Sequence, residues 1–301
     1  MEKYYEEDGQ VIYNCDNLEL LKFLDDNSIN LIYCDVLYNT GKVFDDYNDN
    51  LGNSIEATEW YRPRIKEMKR VLKDNGSIFI HCNWRLDSYM RILLDEIFGE
   101  NNFRNRIYRK HSKERGFYNN FDSQVDVILY YVKSNYNFVF NEIKDGNERI
   151  MPLFENGYDE VRSKSIEIDG NIIDFKSKNK HLLISENKFR KLYDNGEIIF
   201  KDNLPYRKSD VLPIGNLWCE DEMLDQYNRS ELADSYDTPK PMAVLDRIIE
   251  MCSQEGDTVA DFFLGGGSTA VSAKKHNRKG IYCDISKKAC DVTIQKLKNI
   301  Q

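Results

Sequence analysis

Along the first 140 positions, apolar residues recur in two rhythms, every second residue in short runs and every third or fourth in longer ones. VIYNCD (11–16) reads as a strand, NLELLKFLDD (17–26) as a helix, and INLIYCD (29–35) as a strand buried on both faces. From Glu56 to Lys73, Trp60, Ile65, Met68, Val71 and Leu72 share one helical face, and Asp74-Asn75-Gly76 marks the stop. SIFIHC (77–82) predicts a strand, Arg85 to Phe98 a helix ended by Gly99, and VDVILYYV (125–132) another strand. Strands alternating with helices predict a doubly wound, mostly parallel α/β sheet.

The rhythm breaks at about position 141. Residues 141–212 are polar and rich in Asn, Lys and Asp; their strands are short, as in SIEIDGNIIDF with an Asp-Gly turn at 169–170. From 213 to 301 the α/β pattern returns, with a helix from Pro241 to Cys252, a strand DTVADFF (257–263), a glycine turn into a helix, a strand GIYCD (280–284) and a final helix (286–300). The expected organisation is therefore two halves of one core, 1–140 and 213–301, around an inserted smaller domain, 141–212.

Composition adds limits. With 301 residues, 41% hydrophobic and 31% charged, the chain can bury a full core. No apolar run is long enough to cross a membrane, and MEKYYEEDGQ has no signal-peptide character, so a cytoplasmic protein is expected. Seven cysteines without a CxxC pair read as buried thiols, and no metal site is expected. The net charge of −9 weighs against nucleic acid as a partner unless a local patch offsets it.

Two stretches carry chemistry. DFFLGGGST turns from strand to helix through three glycines, whose missing Cβ lets a ligand approach the backbone. Asp284 follows Gly265 by 19 residues, at the end of the next strand, where an acid grips a ribose diol. The spacing departs from the dinucleotide pattern because position 270 is Ala, and Asp261 before the turn suits a cofactor without pyrophosphate. The second stretch, CDVLYNTG (34–41), leaves a buried strand with Asp35 and Tyr38 three residues apart.

Together these motifs resemble the amino-directed DNA methyltransferases. That family's catalytic loop reads Asp/Asn/Ser-Pro-Pro-Tyr/Phe, often followed by Asn-Thr-Gly. Asp35, Tyr38, Asn39, Thr40 and Gly41 match it, while Val36 and Leu37 replace the prolines. The family's cofactor loop, Asp-Pro-Phe-x-Gly-x-Gly-Thr-Thr, is matched by Asp261, Phe263, Gly265, Gly267 and Thr269, with Phe262 for the proline and Ser268 for the first threonine. Thr238, Lys240 and Pro241 reproduce a Thr-x-Lys-Pro signature. The motif order is similar to the circularly permuted beta group, which includes the modification subunits of type III restriction systems.

The resemblance implies a class I fold, S-adenosylmethionine as cofactor and N6 of a flipped adenine in double-stranded DNA as target. Asp35 would accept a hydrogen bond from the amine, beside the cofactor, and Tyr38 would stack on the base. The implied cofactor site comprises Asp16, Asp35, Thr238, Lys240, Pro241, Asp261, Phe262, Gly265, Gly267, Ser268, Thr269 and Asp284. A homodimer and a restriction subunit are the implied protein partners. The replaced prolines leave a second reading open, that of a catalytically impaired partner of an active subunit.

The segment 103–121 supplies the basic patch, with Arg104, Arg106, Arg109, Lys110, Lys113 and Arg115 against Glu114 alone. Interleaved aromatics make it the expected DNA-phosphate contact. The insert at 141–212 would read the target sequence. His81 to Arg85 read as packing at a strand end.

Overall fold

The computed structural model describes residues 1–43, 47–111, 121, 123–220 and 240–300. Its first part runs β1 (Tyr5–Glu7), β2 (Gln10–Asn14), α1 (Asn17–Phe23), β3 (Ile29–Asp35), β4 (Lys42–Val43), β5 (Asn48–Asp49), α2 (Ser54–Val71), β6 (Leu72–Cys82), α3 (Asp87–Phe98), β7 (Phe103–Lys110) and β8 (Val125–Val132). A compact unit spanning 142–214 follows, with β9 (Lys144–Pro152), β10 (Phe154–Asn156), β11 (Ile166–Ile168), β12 (Asn171–Ile173), β13 (Lys180–Leu182), α4 (Glu186–Asp194), β14 (Ile198–Lys201) and β15 (Leu204–Val211). The chain then returns to the first unit through β16 (Leu217–Trp218), α5 (Met242–Cys252), β17 (Thr258–Asp261), α6 (Ser268–Lys275), β18 (Lys279–Asp284) and α7 (Lys287–Lys298).

The larger unit is built on a nine-stranded sheet ordered β1-β2-β18-β17-β3-β6-β8-β7-β16. The five strands from β2 to β6 are parallel, and β8 runs against both of its neighbours. Alternation along β3 sends Ile32 and Cys34 into the layer with α1, α2 and α3, and Leu31 and Tyr33 into the layer with α5, α6 and α7. Both faces are covered, which explains the unbroken apolar run of β3. Strand β2 pairs with β18, so the two ends of the chain meet inside one sheet.

Helix α2 begins with a capping box in which Asn53 and Glu56 satisfy each other's backbone N–H groups. It ends at Val71, earlier than the Asp74-Asn75-Gly76 stop predicts, and those three residues fall within the span of β6. The β3–β6 register shifts there, from Ile29 opposite Leu72 to Leu31 opposite Ser77. A Cβ on Gly76 would lie 2.8 Å from the Asn30 carbonyl oxygen, so the irregularity needs glycine.

The smaller unit has its own core, centred on the fully buried Phe175 and Phe189. Its main sheet is the antiparallel set β14-β15-β9, and Asp169 and Gly170, both with positive φ, close the β11–β12 hairpin. Among the described residues, no helix is long and apolar enough to cross a membrane.

Candidate active site

Strands β17 and β3 are neighbours whose chain connections leave in opposite directions, the position where doubly wound sheets open a crevice at their carboxyl ends. Asp35 ends β3 there, with its side chain 24% exposed. The Tyr38 hydroxyl donates to Asp35 Oδ1 at 2.9 Å. Lys240 Nζ lies 2.8 Å from Asp35 Oδ2 and donates to the Tyr38 hydroxyl at 3.0 Å. Burial, and then the charge of Asp35, push the Tyr38 phenol well above its usual range, so it remains a donor.

Val36 and Leu37 are built into this loop. Val36 is buried, and its N–H donates to the His81 carbonyl at 3.1 Å. The Leu37 carbonyl accepts from the Tyr61 hydroxyl at 2.9 Å. Beyond Tyr38, Asp49 accepts from the Asn39 N–H at 2.9 Å, the Thr40 N–H at 3.0 Å and the Thr40 hydroxyl at 2.5 Å. Asn39, at φ +50°, takes the Leu51 N–H. Hydrogen bonds thus hold a loop that prolines would otherwise stiffen.

The glycine turn lies beside it. Asp261, 2% exposed, accepts from the Phe263 N–H at 3.0 Å and the Thr269 hydroxyl at 2.6 Å. Burial raises its pKa to about 7, although both hydrogen bonds oppose the shift. The Gly265 N–H donates to Asp284 Oδ2 at 2.8 Å, tying the turn to the end of β18. Gly267 adopts φ +77°, and a Cβ there would meet Thr293 Oγ1 at 2.3 Å, so close packing on α7 also demands glycine. The Ser268 hydroxyl donates to the Lys240 carbonyl at 3.1 Å, joining the turn to the residue that contacts Asp35.

Asp16 caps α1 and pairs with Arg64 at 2.9 Å, while the Arg64 guanidinium lies 3.4 Å from the centroid of Trp60. Trp60 and Tyr61 flank Phe263, with centroids 6.3 and 6.2 Å from it. A turn without Cβ atoms, acids at the ends of β3 and β18 and an aromatic group beside them could hold a cationic ligand with a ribose and a flat base. These residues therefore fit S-adenosylmethionine chemically.

The N6/N4 methyltransferase family model, described as DNA methylase, matches residues 29–296. The chain belongs to the DNA methylase family. It is 30% identical to the type II methyltransferase M.EcaI of Enterobacter cloacae over 85% of this chain and 62% of that protein. It is 27% identical to the Mod subunit of the type III restriction-modification enzyme StyLTI of Salmonella typhimurium, over 93% of this chain and 53% of that subunit. The chain thus spans between half and two thirds of the length of these curated relatives. Among solved structures it shares its fold with an M1.HpyAVI–SAM complex (TM-score 0.54, 17% identity, covering 95% of this chain and 98% of that one). It also shares it with PvuII DNA methyltransferase, cytosine-N4-specific (TM-score 0.56, 15% identity, covering 97% and 88%).

Two expectations are corrected. Arg109, expected at DNA phosphates, is 1% exposed and pairs with Asp126 at 2.8 Å, because Phe103–Lys110 is strand β7 and turns that side chain inward. Phe262, expected at the cofactor, is fully buried in the core, and its neighbour Phe263 is the half-buried ring. Arg104 and Arg106 are half-exposed: Arg104 lies over the Phe138 ring at 5.1 Å, and Arg106 is 3.9 Å from Asp87. Lys110 ends β7 opposite Val125, and Pro241 stands at the N-cap position of α5. Thr238, Lys113 and Arg115 lie outside the described residues.

Sequence reasoning missed His81 and Asp126. His81 is the next-to-last residue of a run that reads as a packed strand, and Asp126 is a single acid near the start of another. Their only sequence signal is a polar residue inside an otherwise apolar strand.

Proposed function

We propose that this protein transfers the methyl group of S-adenosylmethionine to the N6 amine of a flipped adenine in double-stranded DNA. The observation that carries the reading is the Asp35–Tyr38–Lys240 cluster beside the glycine turn at the crevice of the sheet.

S-adenosylmethionine supplies an electrophilic methyl on a sulfonium. The Asp284 carboxylate grips the ribose diol, Asp16 and Phe263 face the adenine end, and Gly265, Gly267, Ser268 and Thr269 form the backbone cradle. Lys240, with Thr238, serves the carboxylate end. An exocyclic amine is a poor nucleophile because its lone pair is delocalised into the ring. Asp35 and the Val36 carbonyl accept its two hydrogens and turn the lone pair towards the methyl, a matter of positioning and fixed electrostatics. Tyr38 stacks on the extruded base. Asp at position 35 resembles the adenine-N6 members of the family, whereas the cytosine-N4 members more often carry Ser there. The unit 142–214 serves as the target-recognition part, and a homodimer and a restriction subunit are partners by analogy with the Mod subunits. With DNA as substrate the enzyme works in the cytoplasm.

The replaced prolines favour a second reading, a catalytically impaired partner of an active subunit. Both are tested by methyl transfer from labelled S-adenosylmethionine to mixed-sequence duplexes. Label on adenine that Asp35→Ala abolishes, with cofactor affinity retained in the variant, is the expected result. Label on cytosine would change the target base. No transfer despite cofactor binding would favour the impaired partner.

A further inference from the structure

Four ionisable side chains form a row across adjacent strands behind the crevice: Asp35 on β3, His81 on β6, Asp126 on β8 and Arg109 on β7. His81 is fully buried, Asp126 7% exposed and Arg109 1% exposed. His81 Nε2 lies 3.5 Å from Asp126 Oδ2, which accepts from Arg109 Nη2 at 2.8 Å. On the other edge of the ring, His81 Nδ1 lies 2.7 Å from the Tyr33 hydroxyl and 3.8 Å from Asp35 Oδ1. The ring is also 6.4 Å from that of Tyr38, so it touches the surroundings of both loop residues.

Burying such a set costs several kcal/mol per ion before pairing, and well-packed apolar residues in its place are often as stable or more so. Their neighbours Ile80, Ile107 and Ile128 show that these strands accept apolar side chains. Fold stability therefore gives no reason for the row, whereas its contact with Asp35 does.

The tautomer follows from the partners. Asp126 is held below the usual carboxyl range because the adjoining His81 ring edge, 3.5 Å away, and the charges of Lys240 and Arg109 outweigh the effect of burial. As an ionised acceptor it places the imidazole proton on Nε2, which leaves Nδ1 to accept from Tyr33. Burial lowers the His81 pKa, so the ring is neutral at pH 7.

We propose that His81, anchored by Asp126 and Arg109, is a positioning residue that holds Asp35 forward towards the amine. The inference rests on the amine-methylation reading above. The neutral ring fills the space behind Asp35 and offers it no proton, because Nδ1 accepts from Tyr33. Asp35 gains no hydrogen bond by turning inward, and its oxygens stay with Tyr38, Lys240 and the substrate. A protonated or reversed ring would donate to Asp35 and draw it away from the crevice.

The test has one arm independent of turnover and one that reads it. In ¹⁵N-imidazole spectra at pH 7, the His81 signal, assigned by its loss in His81→Gln, is expected as a neutral Nε2–H ring; a charged ring or an Nδ1–H ring would overturn the proposal. In single-turnover transfer, His81→Phe is expected to lose about 10²-fold in rate, with cofactor affinity and duplex affinity within about threefold of wild type. His81→Gln, whose amide can still donate to Asp126, should recover to within about tenfold of wild type. A wild-type rate in His81→Phe, or a fall matched by equal loss of cofactor affinity, would refute it. Should His81→Phe fail to fold, Asp126→Asn replaces it; a slower step at unchanged cofactor affinity is expected, and an unchanged rate would refute the role. Absence of transfer by the wild type at any duplex would sink the methylation reading instead, and the imidazole spectrum would still decide the placement of the ring.

Discussion

Asp261 carries an electrostatic liability that a pH series can expose. Its pKa of about 7 in the fold stands above that of an unfolded aspartate, so the folded state binds the proton more tightly. This group's contribution to stability is complete at acidic pH, below the unfolded value, and is lost as pH rises towards 7. In thermal melts from pH 5 to 8, Asp261→Asn should become progressively more stable relative to wild type; a constant difference across that range would show that the aspartate is not titrating there. Val36 offers a second single-residue test. Its N–H bond to the His81 carbonyl disappears in proline, so Val36→Pro with Leu37→Pro should lower stability by about 1 kcal/mol or more. Unchanged melting, or faster methyl transfer, would mean that the hydrogen bonds around the loop do not replace proline stiffness.

The glycine turn works through its junction with α6 and α7, so its prediction concerns those elements together. Gly267→Ala adds both a left-handed alanine and an overlap with Thr293, and is expected to cost about 1–3 kcal/mol. Thr293→Ala in the same chain should return part of that loss, and no return would mean that backbone strain alone is responsible. The repeating elements around the turn were legible in the sequence because period and burial agree: β3, β6, β8, α5 and α7 all lie where apolar runs place them. Strand β7 was not, because FRNRIYRK carries four cations and reads as solvated surface. Hydropathy has no way to register that Arg109 is neutralised by an acid on the next strand. The same blindness hid His81, while Asp35, Tyr38 and the glycine turn were visible because their residue types and spacing are tied to chemistry.

At the scale of the molecule, the acidic total of −9 and the proposed DNA substrate could be reconciled only locally, and the burial of Arg109 leaves the partly exposed Arg104, Arg106 and Lys110 as the candidate basic contacts among the described residues of that segment. The sheet order has a consequence for how the protein is made. Strands β2 and β3 are successive in the chain, yet β18 and β17 lie between them in the finished sheet. On the ribosome, both early strands leave the tunnel with their facing edges bare, and the partners for those edges are translated only after the entire 142–214 unit. The centre of the sheet is thus the last part to close. Until β17 and β18 are translated the nascent chain presents open β-edges to its surroundings, a period in which chaperone capture and edge-to-edge association compete with folding.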